Sequence, residues 1–137
     1  MNIYLDVDGV LLDKGKPAGF ASSFLKYVLE TYPDTTYWLT TRCDGDASEV
    51  LRQIQSLFDD DTRQLLEKIK PTPWPIVKTQ AIDFTQPFLW FDDQLGWADK
   101  QALEENNALD SLRRIDLEAN PNQLADEIEV LKELAGK

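Results

Sequence analysis

Histidine is absent from the chain, and cysteine occurs once, at Cys43. Without histidine there is no Ser-His-Asp or Cys-His nucleophile pair, and the usual imidazole zinc sites are excluded. A single cysteine rules out an intramolecular disulfide. That fits a reducing compartment, so a cytoplasmic location is expected. Basic residues are scarce: 14 Lys and Arg stand against 25 Asp and Glu, a net charge of -11. Such a surface repels nucleic acids, anionic membranes and free phosphate esters, unless basic side chains gather locally or a bound cation reverses the local sign. Long apolar runs are also missing. No stretch approaches the roughly 20 residues of a membrane span. The opening Met1-Asn2-Ile3-Tyr4-Leu5-Asp6 lacks the basic and apolar segments of a signal peptide. No membrane partner is expected, and any proton transfer must fall to carboxylates.

The 137 residues, 42% of them hydrophobic, suffice for one domain with a real core and not for two. Ile3 to Val7 reads as a buried strand, and Leu11 to Gly19 as a turn or flap. Phe20, Phe24 and Val28, with Leu25 and Leu29 beside them, mark a helix face that ends before Pro33. Thr36 to Thr40 is a second strand. Asp46 and Glu49 form a capping-box pattern ahead of a helix carrying Val50, Leu51, Ile54 and Leu57. Asp59-Asp60-Asp61 reads as a solvated helix start, followed by Leu65, Leu66 and Ile69. Pro71 to Pro75 is an extended connector, and Lys78 to Ile82 begins another helix. Phe88 to Phe91 is a third strand, Trp97 to Asn106 a helix, and Leu112 to Asp116 a weaker strand. Asn120 as N-cap and Pro121 at the first helical position open a last helix, with Leu124, Ile128, Leu131 and Leu134 on its face. Strands alternating with helices predict an α/β fold: a three-layer, Rossmann-like parallel sheet with helices on both faces.

Three strands end in reactive residues: Asp6-Val7-Asp8-Gly9, Thr40-Thr41-Arg42 and Asp92-Asp93. In a parallel sheet these ends share one edge, where ligands bind. Crowded carboxylates repel unless a cation neutralises them, and hard oxygen donors suit Mg²⁺. A carboxylate beside a metal-held phosphate can attack phosphorus, and a second can serve as acid and then base. A lysine and a threonine hydroxyl can hold the remaining phosphate oxygens.

Tyr4-Leu5-Asp6-Val7-Asp8-Gly9-Val10 resembles the DxDG signature of the HAD (haloacid dehalogenase-like) superfamily. Trp38-Leu39-Thr40, Lys78-Thr79-Gln80-Ala81-Ile82 and Phe88-Leu89-Trp90-Phe91-Asp92-Asp93 resemble its second, third and fourth motifs, in order and over nearly the whole chain. The resemblance implies a HAD-type phosphatase with Asp6 as nucleophile and Asp8 as general acid and base. It implies Thr40 and Lys78 as phosphate ligands. Mg²⁺ would be held by Asp6, the Asp8 carbonyl, Asp92 and Asp93, with the inner ligand of the last two left open. Within that superfamily the chain resembles short members without a full cap domain; WLTTR and WFDD also resemble small HAD domains of RNA-repair proteins. A large substrate could cover such an open site, so the expected partner is a phosphorylated macromolecule, a nucleic-acid end or a phosphoprotein. The alternatives are a silent scaffold of the same fold and a small-metabolite phosphatase capped by oligomerisation. A receiver domain is set aside, because it places its acidic pair after the first strand and a lysine after the last.

Taken singly, several of these residues have plainer readings. Asp6 and Asp8 can form a turn, Thr40 can be structural and Lys78 can be a surface lysine. Arg42 is read either as a phosphate ligand or as a helix-end partner. Trp38 and Trp90 belong to the core, whereas Trp74 and Trp97 either pack a loop onto it or stack on a ring.

Overall fold

The computed structural model describes residues 1–43 and 45–136. Among them, β1 (Asn2–Leu5), β4 (Thr36–Trp38), β5 (Phe88–Asp92) and β6 (Leu112–Arg114) form one sheet in the order β4-β1-β5-β6. All its pairings are parallel, with Leu5 opposite both Trp38 and Phe91 and Asp92 opposite Arg114. β2 (Leu12–Asp13) and β3 (Lys16–Pro17) form a small antiparallel hairpin after β1, the expected flap. The helices are α1 (Ala21–Thr31), α2 (Ser48–Ile54), α3 (Asp60–Leu66), α4 (Trp97–Glu105) and α5 (Gln123–Ala135).

The strands send alternate side chains to opposite faces, as the period of 2 requires. Ile3, Leu5, Leu89 and Phe91 enter one core with Phe24, Leu25 and Val28 of α1, Val50 and Ile54 of α2, Leu66 of α3, and Leu124 and Leu131 of α5. Tyr4, Phe88 and Trp90 enter the other, with Leu103 of α4, Leu39 and Ile82. The sheet is thus buried on both faces, which explains its nearly continuous apolar strands. Each large side chain buried there contributes about 2 kcal/mol. An edge-on contact of Phe24 with Phe91, centroids 5.1 Å apart, docks α1 on β5. Trp38 and Trp90 are fully buried, as expected, although their indole N–H groups have no hydrogen-bond partner among the described residues. No helix among the described residues is long and apolar enough to cross a membrane.

Several boundaries depart from the sequence reading. Phe20 precedes α1 in a left-handed conformation (φ 64°) and is 51% exposed, so it is not on the buried face. The Asp46–Glu49 capping box does not form: Asp46 accepts from Ser48 N, while Glu49 pairs with Arg52 and Gln53. Leu57 lies in a 3₁₀ turn and is exposed. Lys78 to Ala81 makes one 3₁₀ turn instead of a helix, its entry closed by Gln80 Oε1, which accepts from Ile76 N and Val77 N. The last helix starts at Gln123, because Asn120 and Pro121 form a turn in which Asn120 Oδ1 accepts from Asn122 N. Leu134, at its far end, is exposed. Asp59 does cap α3, accepting from Thr62 N at 2.8 Å.

Candidate active site

β1 lies between β4 and β5, and the chain crosses to one side of it before returning to the other. This is a topological switch point, where the carboxyl ends of neighbouring strands leave a crevice. The ladder continues one residue past β1: Asp6 N donates to Phe91 O at 3.0 Å, and Leu39 N to Leu5 O at 2.8 Å. Asp6, Thr40 and Asp92 therefore sit at the same edge, though separated by most of the chain.

Asp6, Asp92 and Asp93 bring carboxylate oxygens within 4.8 Å of one another. Lys78 reaches into this group, with Nζ 2.7 Å from Asp92 Oδ2 and 3.5 Å from Asp6 Oδ2. The remaining oxygens are held by backbone: Asp6 Oδ1 accepts from Val7 N at 2.9 Å and Asp92 Oδ1 from Gln94 N at 3.0 Å. Gly9 makes the crowding possible. It has φ 79°, and a Cβ there would overlap the Asp93 carboxylate. Lys78 is set in place indirectly, since Asp99 of α4 accepts from both Thr79 N and Thr79 Oγ1 in the same 3₁₀ turn.

The electrostatics follow from this packing. Burial, and then the neighbouring Asp92 charge, push the Asp6 carboxyl up to about 8. Burial and a hydrogen bond with Asp92 raise Asp93 as well. Burial disfavours the Lys78 ammonium, but Asp6 and Asp92 outweigh it and its pKa is raised. Three carboxyls thus share one ammonium.

Asp8 is placed differently. Its carboxylate leaves the cluster and accepts a two-pronged bond from Arg42, Nε to Oδ2 at 2.8 Å and Nη2 to Oδ1 at 2.9 Å. Arg42 also donates to Gln53 Oε1 of α2 at 2.7 Å. Of the two readings of Arg42 from sequence, the helix-end partner is met in part, through the Gln53 side chain in the last turn of α2, while its grip on Asp8 was in neither. The Arg42 hydrogen bonds hold Asp8 below the usual carboxylate range.

A cavity of about 140 Å³ lies over the cluster, lined by Asp6, Asp8, Lys78, Asp92 and Asp93 and also by Thr41 and Gln94. Thr40 is fully buried beside it, its Oγ1 accepting from Arg42 N at 3.3 Å. Thr41, Gln94 and the positioning residue Asp99 were missed from sequence. Thr41 was in view, but which of two adjacent threonines faces the crevice depends on how the chain turns after β4. Asp99 carried no signal, because its bond to Thr79 spans two elements. Trp74 is half-buried, its indole N–H donating to Cys43 O at 3.1 Å, whereas Trp97 is 78% exposed and packs no loop onto the core. No protein-family model, curated protein or solved structure matches the chain.

Proposed function

We propose that the chain is a Mg²⁺-dependent phosphomonoester hydrolase of the HAD type, in which Asp6 is a covalent nucleophile. The observation that carries the reading is the convergence of Asp6, Asp92 and Asp93 around Lys78 at the switch point of the sheet. The donor set fits Mg²⁺: it offers only oxygen, and it holds more negative charge than Lys78 neutralises. Asp6, Asp92, Asp93 and the Asp8 carbonyl would hold the ion, which when bound neutralises the carboxylates and polarises the phosphoryl group.

In this reading a carboxylate oxygen of Asp6 bonds to phosphorus as the ester P–O bond breaks. The departing oxygen takes a proton from Asp8, and an aspartyl-phosphate remains on Asp6. Water then gives a proton to Asp8 while its oxygen attacks phosphorus. The bond to Asp6 breaks, and phosphate leaves with Asp6 ionised and Asp8 protonated again. Lys78 steadies the charge on the phosphoryl oxygens, with Thr40 and Thr41 beside it. Arg42 adds a switch: in the free protein it opposes protonation of Asp8, so Asp8 must lose Arg42 and take a proton from solvent before it can donate one. A substrate phosphate competes for that guanidinium fork.

Only the β2–β3 hairpin rises between Asp8 and α1, and short helices fill the stretch between β4 and β5. An open site offers few contacts to a small metabolite, so the substrate is a phosphate on a larger molecule that supplies remote binding energy. The test is hydrolysis of an aryl phosphate with and without Mg²⁺. Activity is expected only with the ion, and Asp6→Asn is expected to abolish it, because an amide is no nucleophile. Near-normal activity in a folded Asp6→Asn protein overturns the covalent route. Inactivity of the wild type across a broad panel of phosphoesters leaves a binding or scaffold domain as the better account.

A further inference from the structure

The small cavity over Asp6 has room for a phosphoryl group and little else, so the rest of the substrate must leave through a neighbouring space. Two clefts adjoin it. The larger, about 670 Å³, runs toward the β2–β3 hairpin and shares only Asp93 with the cavity. Asp13, Asp116 and Glu118 line it, against Lys14 and Arg114. The smaller, about 230 Å³, shares Thr41, Lys78, Asp92 and Gln94 with the cavity as common walls. Its outer walls are Trp74, Ile76 and the backbone at Gly96.

We infer, on the reading that Asp6 receives a phosphoryl group, that this smaller cleft takes the leaving group and that the leaving group is an aromatic ring carried on the ester oxygen. The shared walls select the cleft, since four residues line both spaces and only Asp93 lines the cavity and the larger cleft. Its chemistry selects the ring. Trp74 and Ile76 offer an apolar wall on which a planar group gains stacking and burial, and on which a polyol gains nothing. Its size selects a single ring, because it falls below the roughly 300 Å³ at which pockets begin to hold drug-sized ligands.

The mouth of the cleft adds a surface for whatever bears the ring. Ile76 and Trp97, which follows Gly96, are each 78% exposed, the highest values among the large apolar side chains described. Ile76 thus offers an exposed apolar side chain at the edge of the cleft. An aryl phosphate reaches such a site in two forms, as a free phenolic ester or as a phosphotyrosyl residue of a protein.

The experiment is calorimetric titration of the whole protein in Mg²⁺ with methylphosphonate and benzylphosphonate, neither of which can be hydrolysed. Benzylphosphonate is expected to bind about tenfold more tightly, the scale of one stacked ring. Trp74→Leu, and the exposed and fold-safe Ile76→Ser, are expected to narrow the gap. Equal binding of the two phosphonates, or a gap that neither variant narrows, overturns the aromatic cleft and leaves the phosphate site standing. Failure of both phosphonates to bind overturns the phosphate site itself, and the cleft assignment with it. The source is then read from turnover of phenyl phosphate beside phosphotyrosyl and phosphoseryl peptides. Higher kcat/KM on the phosphotyrosyl peptide than on phenyl phosphate assigns the ring to a protein, and the reverse assigns it to a small ester. A phosphoseryl peptide turned over as well as the phosphotyrosyl one contradicts the inference.

Discussion

Asp6 is a carboxylic acid held at about 8 by burial and by Asp92, and this gives it opposite effects on stability and on function. Its folded value lies above the ordinary carboxylate value. Its favourable contribution to stability is therefore complete in acid and is lost as the pH rises through about 8. At pH 8 without divalent ions, Asp6→Asn is expected to melt higher than the wild type, since it removes one charge from a crowded buried cluster. The gap should shrink as the pH falls, and the two should coincide only below the ordinary carboxylate value. A lower midpoint for Asp6→Asn at pH 8 would contradict the assignment. Asp8 behaves in the reverse sense. Arg42 lowers its pKa, so the stabilisation by this exposed pair is present above the ordinary carboxylate range and disappears as the pH falls through the lowered value. Arg42→Ala is expected to move the Asp8 carboxyl titration, followed by NMR, upward toward the ordinary value, and an unmoved titration would mean that Arg42 does not set it. Asp6, Asp8, Asp92 and Asp93 were legible in the sequence because acidic residues after apolar strands are conspicuous. The grip of Arg42 on Asp8 was not, because no local pattern reports which of several partners an arginine selects.

The four strands of the sheet were legible, with starts within one residue and ends within two, since a sheet buried on both faces demands unbroken apolar segments such as Phe88 to Phe91. Helix ends were read less well, and each miss has a local cause. Asp46 and Asn120 carry good capping side chains, yet both spend them on the residue two positions on, forming turns just ahead of the helix. Lys78 to Ala81 stays a single turn because Asp99 and Gln80 hold its backbone, and a longer helix is not needed to present Lys78. A further tie was invisible in the pattern. Glu127, on the inner face of α5, is buried and accepts from Arg113 of β6, with Nε to Oε1 at 2.7 Å and Nη2 to Oε2 at 3.0 Å. Arg113→Ala leaves that carboxylate buried without its partner, and a loss of about 3 kcal/mol is expected in denaturant unfolding. A loss within about 0.5 kcal/mol, the level of an ordinary surface substitution, would show that α5 docks by its apolar face alone.

At the scale of the whole molecule, strand order does the work that no single motif does. Placing β1 between β4 and β5 gathers Asp6, Thr40 and Asp92 from three distant segments, and Lys78 is brought in from the side by α4. The alternation of strands and helices foretold a parallel sheet, but only the order in space explains why these ends meet. The chain carries a net charge of -11 and concentrates three carboxyls around one lysine at this edge, the feature on which the proposed cation and phosphate site rests. The central claim is that phosphoryl transfer passes through Asp6. It is tested most directly by quenching the protein in acid during turnover of an aryl phosphate with Mg²⁺, and mapping the modified peptide by mass spectrometry. The account predicts one added phosphoryl group on the peptide that contains Asp6, absent without Mg²⁺ and absent from Asp6→Asn. Turnover that continues in Asp6→Asn, or a phosphoryl group mapped to any other residue, would contradict it.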